Sequence, residues 1–371
     1  MTKKLALLSG KGGSGKTSLS LCIANLLSSC GIKTLLIDCD FSTNGATYFF
    51  EDLLDTDDKY CSVWSLGQGH IFPQSKHGTE KIASIKKNFD FLPSVPKIDG
   101  SVIGNGDDFF SYSMFGNIID KYEVVIFDCQ AGYSDILEQI LPNVDETLFV
   151  MEADAISSSS IRSLHLKIGN FLTRKSYQVF NKVTTEEYEI YNKISGGTLF
   201  ANIESVLFDW TIRKAFALSQ IPTVEDVSYN FYEQILNICK VLFGEAIYSE
   251  KIESFSKSLA KKKIAEERKD LLQKLSVKKA LAKNNRVKLL MYMSIAYGMA
   301  AFIFVYYILL RREHFLGSIV DISLICISMA SVIIVIFMSF FAGKVNNRGE
   351  SISEIQRKLD ELDAKAEKYK N

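Results

Sequence analysis

The chain has 371 residues, enough for one large domain or two modest ones. Its 43 Lys+Arg balance its 43 Asp+Glu, so there is no global basic excess to hold nucleic acid, and direct nucleic-acid binding is not expected. The 7 cysteines form no CxxC pair and the 4 histidines no metal spacing, which fits small core cysteines in a reducing cytosol. The opening MTKKLALLSG has too short an apolar stretch for a signal peptide.

Leu5–Leu8 is a short continuous apolar run and predicts a buried parallel strand. It leads into Ser9–Thr17, SGKGGSGKT, and then into Leu19–Leu27, apolar at helical spacing. Strand, glycine-rich loop and helix make the context of a phosphate cradle, and GxxxxGK[ST] matches from Gly10 to Thr17. Gly10, Gly12, Gly13 and Gly15 let backbone N–H groups turn inward towards phosphate oxygens, with Ser14 between them. The helix that opens at Ser18 presents its positive end to the anion, Lys16 can reach the β- and γ-phosphates, and Thr17 can ligate Mg²⁺. That helix is predicted to run to Cys30 and to stop at Gly31. Lys33–Asp38 predicts the second strand, with Asp38 and Asp40 just past its carboxyl end, where α/β sheets place ligands.

Glu51–Lys87 is the least informative stretch; Asp52, Asp55, Asp57 and Asp58 read as a solvated acidic face. Phe89–Leu92 predicts a strand, Gly100–Asp108 a polar loop and Phe109–Ile119 a helix. Tyr122–Asp128 is the strongest strand: β-branched and aromatic, with a terminal acid suited to hold the water shell of Mg²⁺. Thr147–Met151 is another strand, followed by Glu152, Asp154 and the serine run; the serines Ser157–Ser160 would cap a helix from Ile161. Gln178–Phe180 leads into Asn181, and Phe231–Phe243 is the last helix before Gly244.

Lys11, giving KGGSGKT, makes the loop resemble the deviant Walker A motif of the MinD/ParA family of ATPases, over about residues 1–245. The resemblance implies an α/β fold, a doubly wound, mostly parallel sheet of P-loop NTPase type. It implies ATP and Mg²⁺ as cofactors and a homodimer closed around ATP, in which Lys11 reaches the partner's nucleotide. Asp40 would position the attacking water and Asp38 would support Mg²⁺ through water, beside Thr17 and Asp128. Asn181 would contact the base, the segment ending at Pro222 would close over it, and Ser157–Ser160 would pack against the partner. Gln130 stands where the family's turn after Asp128 usually has proline.

Beyond 1–244, a helical linker is expected over 245–288. A two-span transmembrane hairpin follows over 289–342 (289–310 and 319–342), then an amphipathic helix over 343–371. Leu289–Leu310 and Ile322–Ala342 carry no charge, each about the ~20 apolar residues that cross a hydrocarbon core. Lys278, Lys279, Lys283, Arg286 and Lys288 before the first span, and Lys344 and Arg348 after the second, place both ends in the cytoplasm of a bacterial inner membrane; Arg311 and Arg312 in the turn oppose this. Ile352, Ile355, Leu359, Leu362, Ala366 and Tyr369 form an apolar stripe that can pair with the linker helix, pair between subunits or bind a partner. The expected protein is a membrane-anchored ATP hydrolase, slow until an unidentified protein activator or cargo stimulates it. The alternatives are a bacterial tyrosine-kinase-like autokinase and a nucleotide-binding membrane scaffold without turnover.

Overall fold

A computed structural model of the chain describes residues 2–54, 60–67, 82–95, 110–172, 175–188, 199–222, 229–244, 246–312 and 351–368. It divides into two compact units, Met1–Ser256 and Lys257–Asn371.

The first unit is built on one eight-stranded sheet, ordered β3-β4-β2-β5-β1-β6-β7-β8. The strands are β1 (Lys3–Ser9), β2 (Thr34–Cys39), β3 (Ala83–Lys86), β4 (Phe89–Leu92), β5 (Val124–Ala131), β6 (Glu146–Met151), β7 (Lys175–Val183) and β8 (Ala201–Leu207). Every pairing is parallel except β3 with β4. Helices covering the faces of the sheet are what let its strands be apolar throughout. Leu5, Leu7, Leu35, Leu36, Val125, Phe127, Leu148 and Phe149 are all buried, at about 1.5–3 kcal/mol for each large side chain removed from water.

The helices of this unit are α1 (Lys16–Ser29), α2 (Gly45–Phe49), α3 (Glu51–Leu54), α4 (Val63–Gly67), α5 (Gly116–Ile119), α6 (Asp135–Ile140), α7 (Ala155–Ile168), α8 (Trp210–Ala217), α9 (Tyr229–Phe243) and the start of α10 (Ala246–Arg312). α1 ends in a Schellman turn: Gly31, at φ 77°, donates its N–H to Ser28 O, and Ile32 donates to Leu27 O. The first turns of α10 belong to this unit. Tyr248 and Ile252 are buried, and Lys251 Nζ lies 2.7 Å from Glu123 Oε1.

Four details differ from the sequence expectation. β3 is an antiparallel edge strand, joined to β4 through Lys87 and Asn88; Asn88 takes φ 64°, a conformation asparagine tolerates. β8 adds a strand whose ANIESVL is too polar to read as a buried run. The segment before β5 is a 3₁₀ turn, Tyr112–Phe115, followed by the short α5 rather than one helix. α7 begins at Ala155, not Ile161, because the Asp154 carboxylate caps it and the serines fall inside its first turns.

The second unit contains the rest of α10 and α11 (Ile352–Lys368). Ile355 and Leu359 pack on Leu275 and Leu271, and Arg268 Nε lies 2.8 Å from Asp363 Oδ1. Residues early in α10 meet residues late in α11, so the two helices run antiparallel. α10 is long and apolar enough to cross a membrane, and none of its most apolar 18-residue window is buried. Tyr297 is 70% and Phe302 73% exposed. The 319–342 span lies outside the described residues.

Candidate nucleotide site

The site lies at the carboxyl ends of β1, β2 and β5, where the chain leaves the sheet into the Gly10–Thr17 loop and α1. Two glycines are required by close approach. A Cβ on Gly15 would stand 2.3 Å from Asn181 Nδ2, and φ there is 85°. A Cβ on Gly10 would stand 2.5 Å from the Ser160 carbonyl carbon, so the loop rests directly on α7.

Parallel pairing sets the acids side by side: Asp38 on β2 is in register with Asp128 on β5, which is in register with Leu7 on β1. Lys16, at the first turn of α1, lies 3.4 Å from Asp128 Oδ1, with the two side chains 6% and 0% exposed. Burial opposes the charge of Lys16, but Asp128, Asp40 and Asp38 around it prevail and raise its pKa. Burial pushes the Asp128 carboxyl up against the pull of Lys16. Asp38 is pushed up to about 7 by burial and by Asp128, against the donors that reach it. Three acids thus surround one ammonium, an excess of negative charge in a buried place.

Asp128 Oδ2 is buried without a hydrogen-bond partner. An orphaned carboxylate oxygen below a phosphate loop, beside the Thr17 hydroxyl, has the chemistry of a divalent-cation site. These residues therefore fit magnesium. Asp38 Oδ2 accepts from Thr47 N (2.9 Å) and Thr47 Oγ1 (2.7 Å), and its Oδ1 accepts from Asp40 N (3.0 Å). Asp40 accepts from its own turn: Ser42 N (3.1 Å) and Oγ (2.5 Å), and Thr43 N (3.0 Å) and Oγ1 (2.8 Å).

Lys11 is placed against its own chain, 2.9 Å from Glu152 Oε2 and 3.0 Å from Asp154 Oδ2. Hydrogen bonds to Glu152 and then Asp154 raise its pKa. Glu152 also takes Lys182 at 3.1 Å, and Lys182 donates to Gly13 O. Glu152, Asp154 and Lys182 carry no motif, because what makes them functional neighbours is the adjacency of β6 and β7 to the loop.

A cavity of about 460 Å³ opens beside the loop, lined by Gly15, Ser18, Asn181, Lys182, Arg213 and Phe216 among others. Asn181 Nδ2 donates to Ser14 O at 2.8 Å, which sets its side chain against the loop. The Pro222 carbonyl accepts from Asn25 Nδ2 (3.1 Å) and Tyr232 OH (2.5 Å), tying it to α1 and α9. Gly12 and Gly13 have open space around them, with Gly13 at φ 80°.

Residues 2–180 match the family model described as an AAA domain. No curated protein sequence matches the chain. Among solved structures, the chain is similar to a putative plasmid partition protein of Borrelia burgdorferi bound to AMPPNP, at 17% identity and TM-score 0.53, over 66% of this chain and 100% of that one. It is similar to MinD in the MinC:MinD cell division complex of Aquifex aeolicus, at 19% identity and TM-score 0.53, over 66% and 97%. It also resembles the septum site-determining protein MinD of Pyrococcus horikoshii complexed with Mg-ADP, at 16% identity and TM-score 0.51, over 68% and 99%. Parallel sheet, glycine loop and acid-tipped strands together define a P-loop nucleotide-binding fold. Within that class the first unit shares its fold with the plasmid partition protein and with MinD.

Proposed function

We propose that the chain is a membrane-anchored ATPase switch: it binds ATP with magnesium, pairs with a second copy around the nucleotide, and hydrolyses it slowly until a partner protein stimulates it. The observation that carries the reading is the Lys16–Asp128 pair with its orphaned Oδ2, beneath a glycine loop and next to a cavity of nucleotide size. Magnesium, when bound, would draw charge off the phosphate oxygens and the bond that breaks. Thr17 and Asp128 would hold it, with Asp38 behind them. Lys16 exchanges its carboxylate for phosphate oxygens and steadies the charge that builds there. Asp40 orients the water that attacks, once Ser42 and Thr43 yield one of its oxygens. Asn181 and the Arg213 wall of the cavity hold the base. Lys11 leaves Glu152 and Asp154 to reach the partner's nucleotide.

The exposed apolar stretch of α10 supports lipid as the surroundings of residues 289–306, and the uncharged run Ile322–Ala342 in the sequence would return the chain to the same side. The antiparallel contact of α11 with residues 268–275 of α10 supports that return, because α11 and this part of α10, ahead of the apolar stretch, must then share one side of the bilayer. ATP would thus govern pairing in the plane of the membrane rather than attachment to it.

The test follows the label of γ-labelled ATP given to detergent-solubilised protein, beside Lys16→Ala and Asp40→Ala. Label released as phosphate by the parent and lost in both variants supports the switch. Label retained on tyrosine makes the protein an autokinase instead. Tight nucleotide binding with no turnover, even after cell extract is added, makes it a scaffold.

A further inference from the structure

Asp38 is wholly buried, and the ammonium in its surroundings, Lys16, hydrogen-bonds Asp128 instead. A buried carboxylate needs donors, and two of the three short ones reaching Asp38 come from one residue, Thr47 on α2. The Thr47 hydroxyl gives its single hydrogen to Asp38, and its oxygen accepts from Ser94 N at 3.0 Å. The Ser94 hydroxyl gives its hydrogen to Asn44 Oδ1 at 2.7 Å. Asn44 itself takes φ 50° where α2 begins. Ser94 Oγ also lies 2.9 Å from Thr47 Oγ1 and 3.5 Å from Asp38 Oδ2, so the two hydroxyls and the carboxylate form one connected buried network. α2 also abuts the loop: a Cβ on Gly45 would lie 3.5 Å from Thr17 Oγ1. On its other oxygen Asp38 holds Asp40 N.

The geometry points to Thr47 as a positioning residue of the magnesium–phosphate end of the site: it fixes Asp38, and through Asp38 the backbone that carries Asp40. Thr47 does not itself touch phosphate or metal. Without its hydroxyl, Asp38 keeps the Thr47 N–H but loses its shortest donor, so one of the two bonds that tie Thr47 to the carboxyl end of β2 is gone. The inference rests on the reading of this site as a magnesium–nucleotide site.

The experiment titrates the full detergent-solubilised chain with a fluorescent methylanthraniloyl ATP, once in EDTA and once across a magnesium series. Thr47→Val, Thr47→Ser and Ser94→Ala stand beside the parent, with thermal melts to confirm folding. Thr47→Val is expected to need about tenfold more magnesium for half-saturation, the scale of a lost hydrogen bond to a carboxylate, at unchanged affinity in EDTA. Thr47→Ser is expected to restore the parent value, and Ser94→Ala to fall between. A Thr47→Val protein that folds and titrates with magnesium like the parent overturns the inference alone. Equal loss of affinity with and without magnesium also overturns it, because a general packing defect would act on both. A parent chain that binds no nucleotide overturns the underlying reading, and this inference with it.

Discussion

The two units break the usual rule of protein interiors in opposite directions. Met1–Ser256 buries charge: Asp38 and Asp128 are fully covered and Lys16 nearly so. Within Lys257–Asn371, α10 turns apolar side chains outward, with Leu290, Met291, Tyr297 and Phe302 more than half exposed. A buried excess of carboxylate and an unburied helix of oil are both unfavourable in water. On the function proposed above, each would be relieved by something of complementary nature: cation and phosphate for the first, hydrocarbon for the second. The first anomaly is also rigidly built, with most of its oxygens hydrogen-bonded, whereas the second relies on a small core of Leu271, Leu275, Ile355 and Leu359.

That contrast can be broken at either end. The largest effect is expected at the buried end: Lys16→Ala should lower phosphate release from ATP by roughly a hundredfold or more, the scale for losing a preorganised charge. Parent-like release by that variant would remove the site from the chemistry. At the other end, Phe302→Arg places a charge mid-way along the apolar stretch, where it costs about 2.5–3.5 kcal/mol of insertion. Carbonate extraction should then recover part of the protein in the soluble or aggregated fraction, against none for the parent. Leu359→Ala, at a position 3% exposed, should cost about 2–3 kcal/mol of the α10–α11 contact, read as faster amide exchange over 264–275 and 352–362.

The smallest effect is a pH dependence. The Ser157 N–H, and then Lys11, hold the Asp154 carboxyl down at about 2, below its ordinary 3.8. A depressed carboxyl adds stability that is present above its unfolded pKa and lost as pH falls towards its folded one. The window is therefore about pH 4 down to 2. The Asp154 side chain is 40% exposed, so solvent screening keeps the contribution below about 1 kcal/mol. Asp154→Asn should flatten the acid limb of the stability curve by that amount, and an unchanged limb would mean that the cap and the Lys11 pair add nothing.

Much of the first unit was legible because its signals are local. Leu5–Thr17 spells strand, loop and helix within one continuous stretch, and Asp38 and Asp128 each end an apolar run. β3 and β8 were not legible: edge strands are half solvated and carry polar residues, so they lack the uninterrupted pattern of the central strands. The start of α7 was misplaced because a serine run reads as a cap, while the stronger acceptor, Asp154, stood just ahead of it.

By itself, then, the sequence determined what is periodic or contiguous: the phosphate loop, the acid-tipped strands, the uncharged stretch of α10 and the stripe along α11. Only the tertiary structure decided which distant groups meet. It set Lys16 on Asp128 across 112 positions and brought Lys11 to Asp154 across 143. It made Thr47 the holder of Asp38, and it placed α11 against α10 in antiparallel sense. The physical reason is that propensity and periodicity act along the chain. Electrostatic partnership and packing act through space, and sheet order fixes those distances.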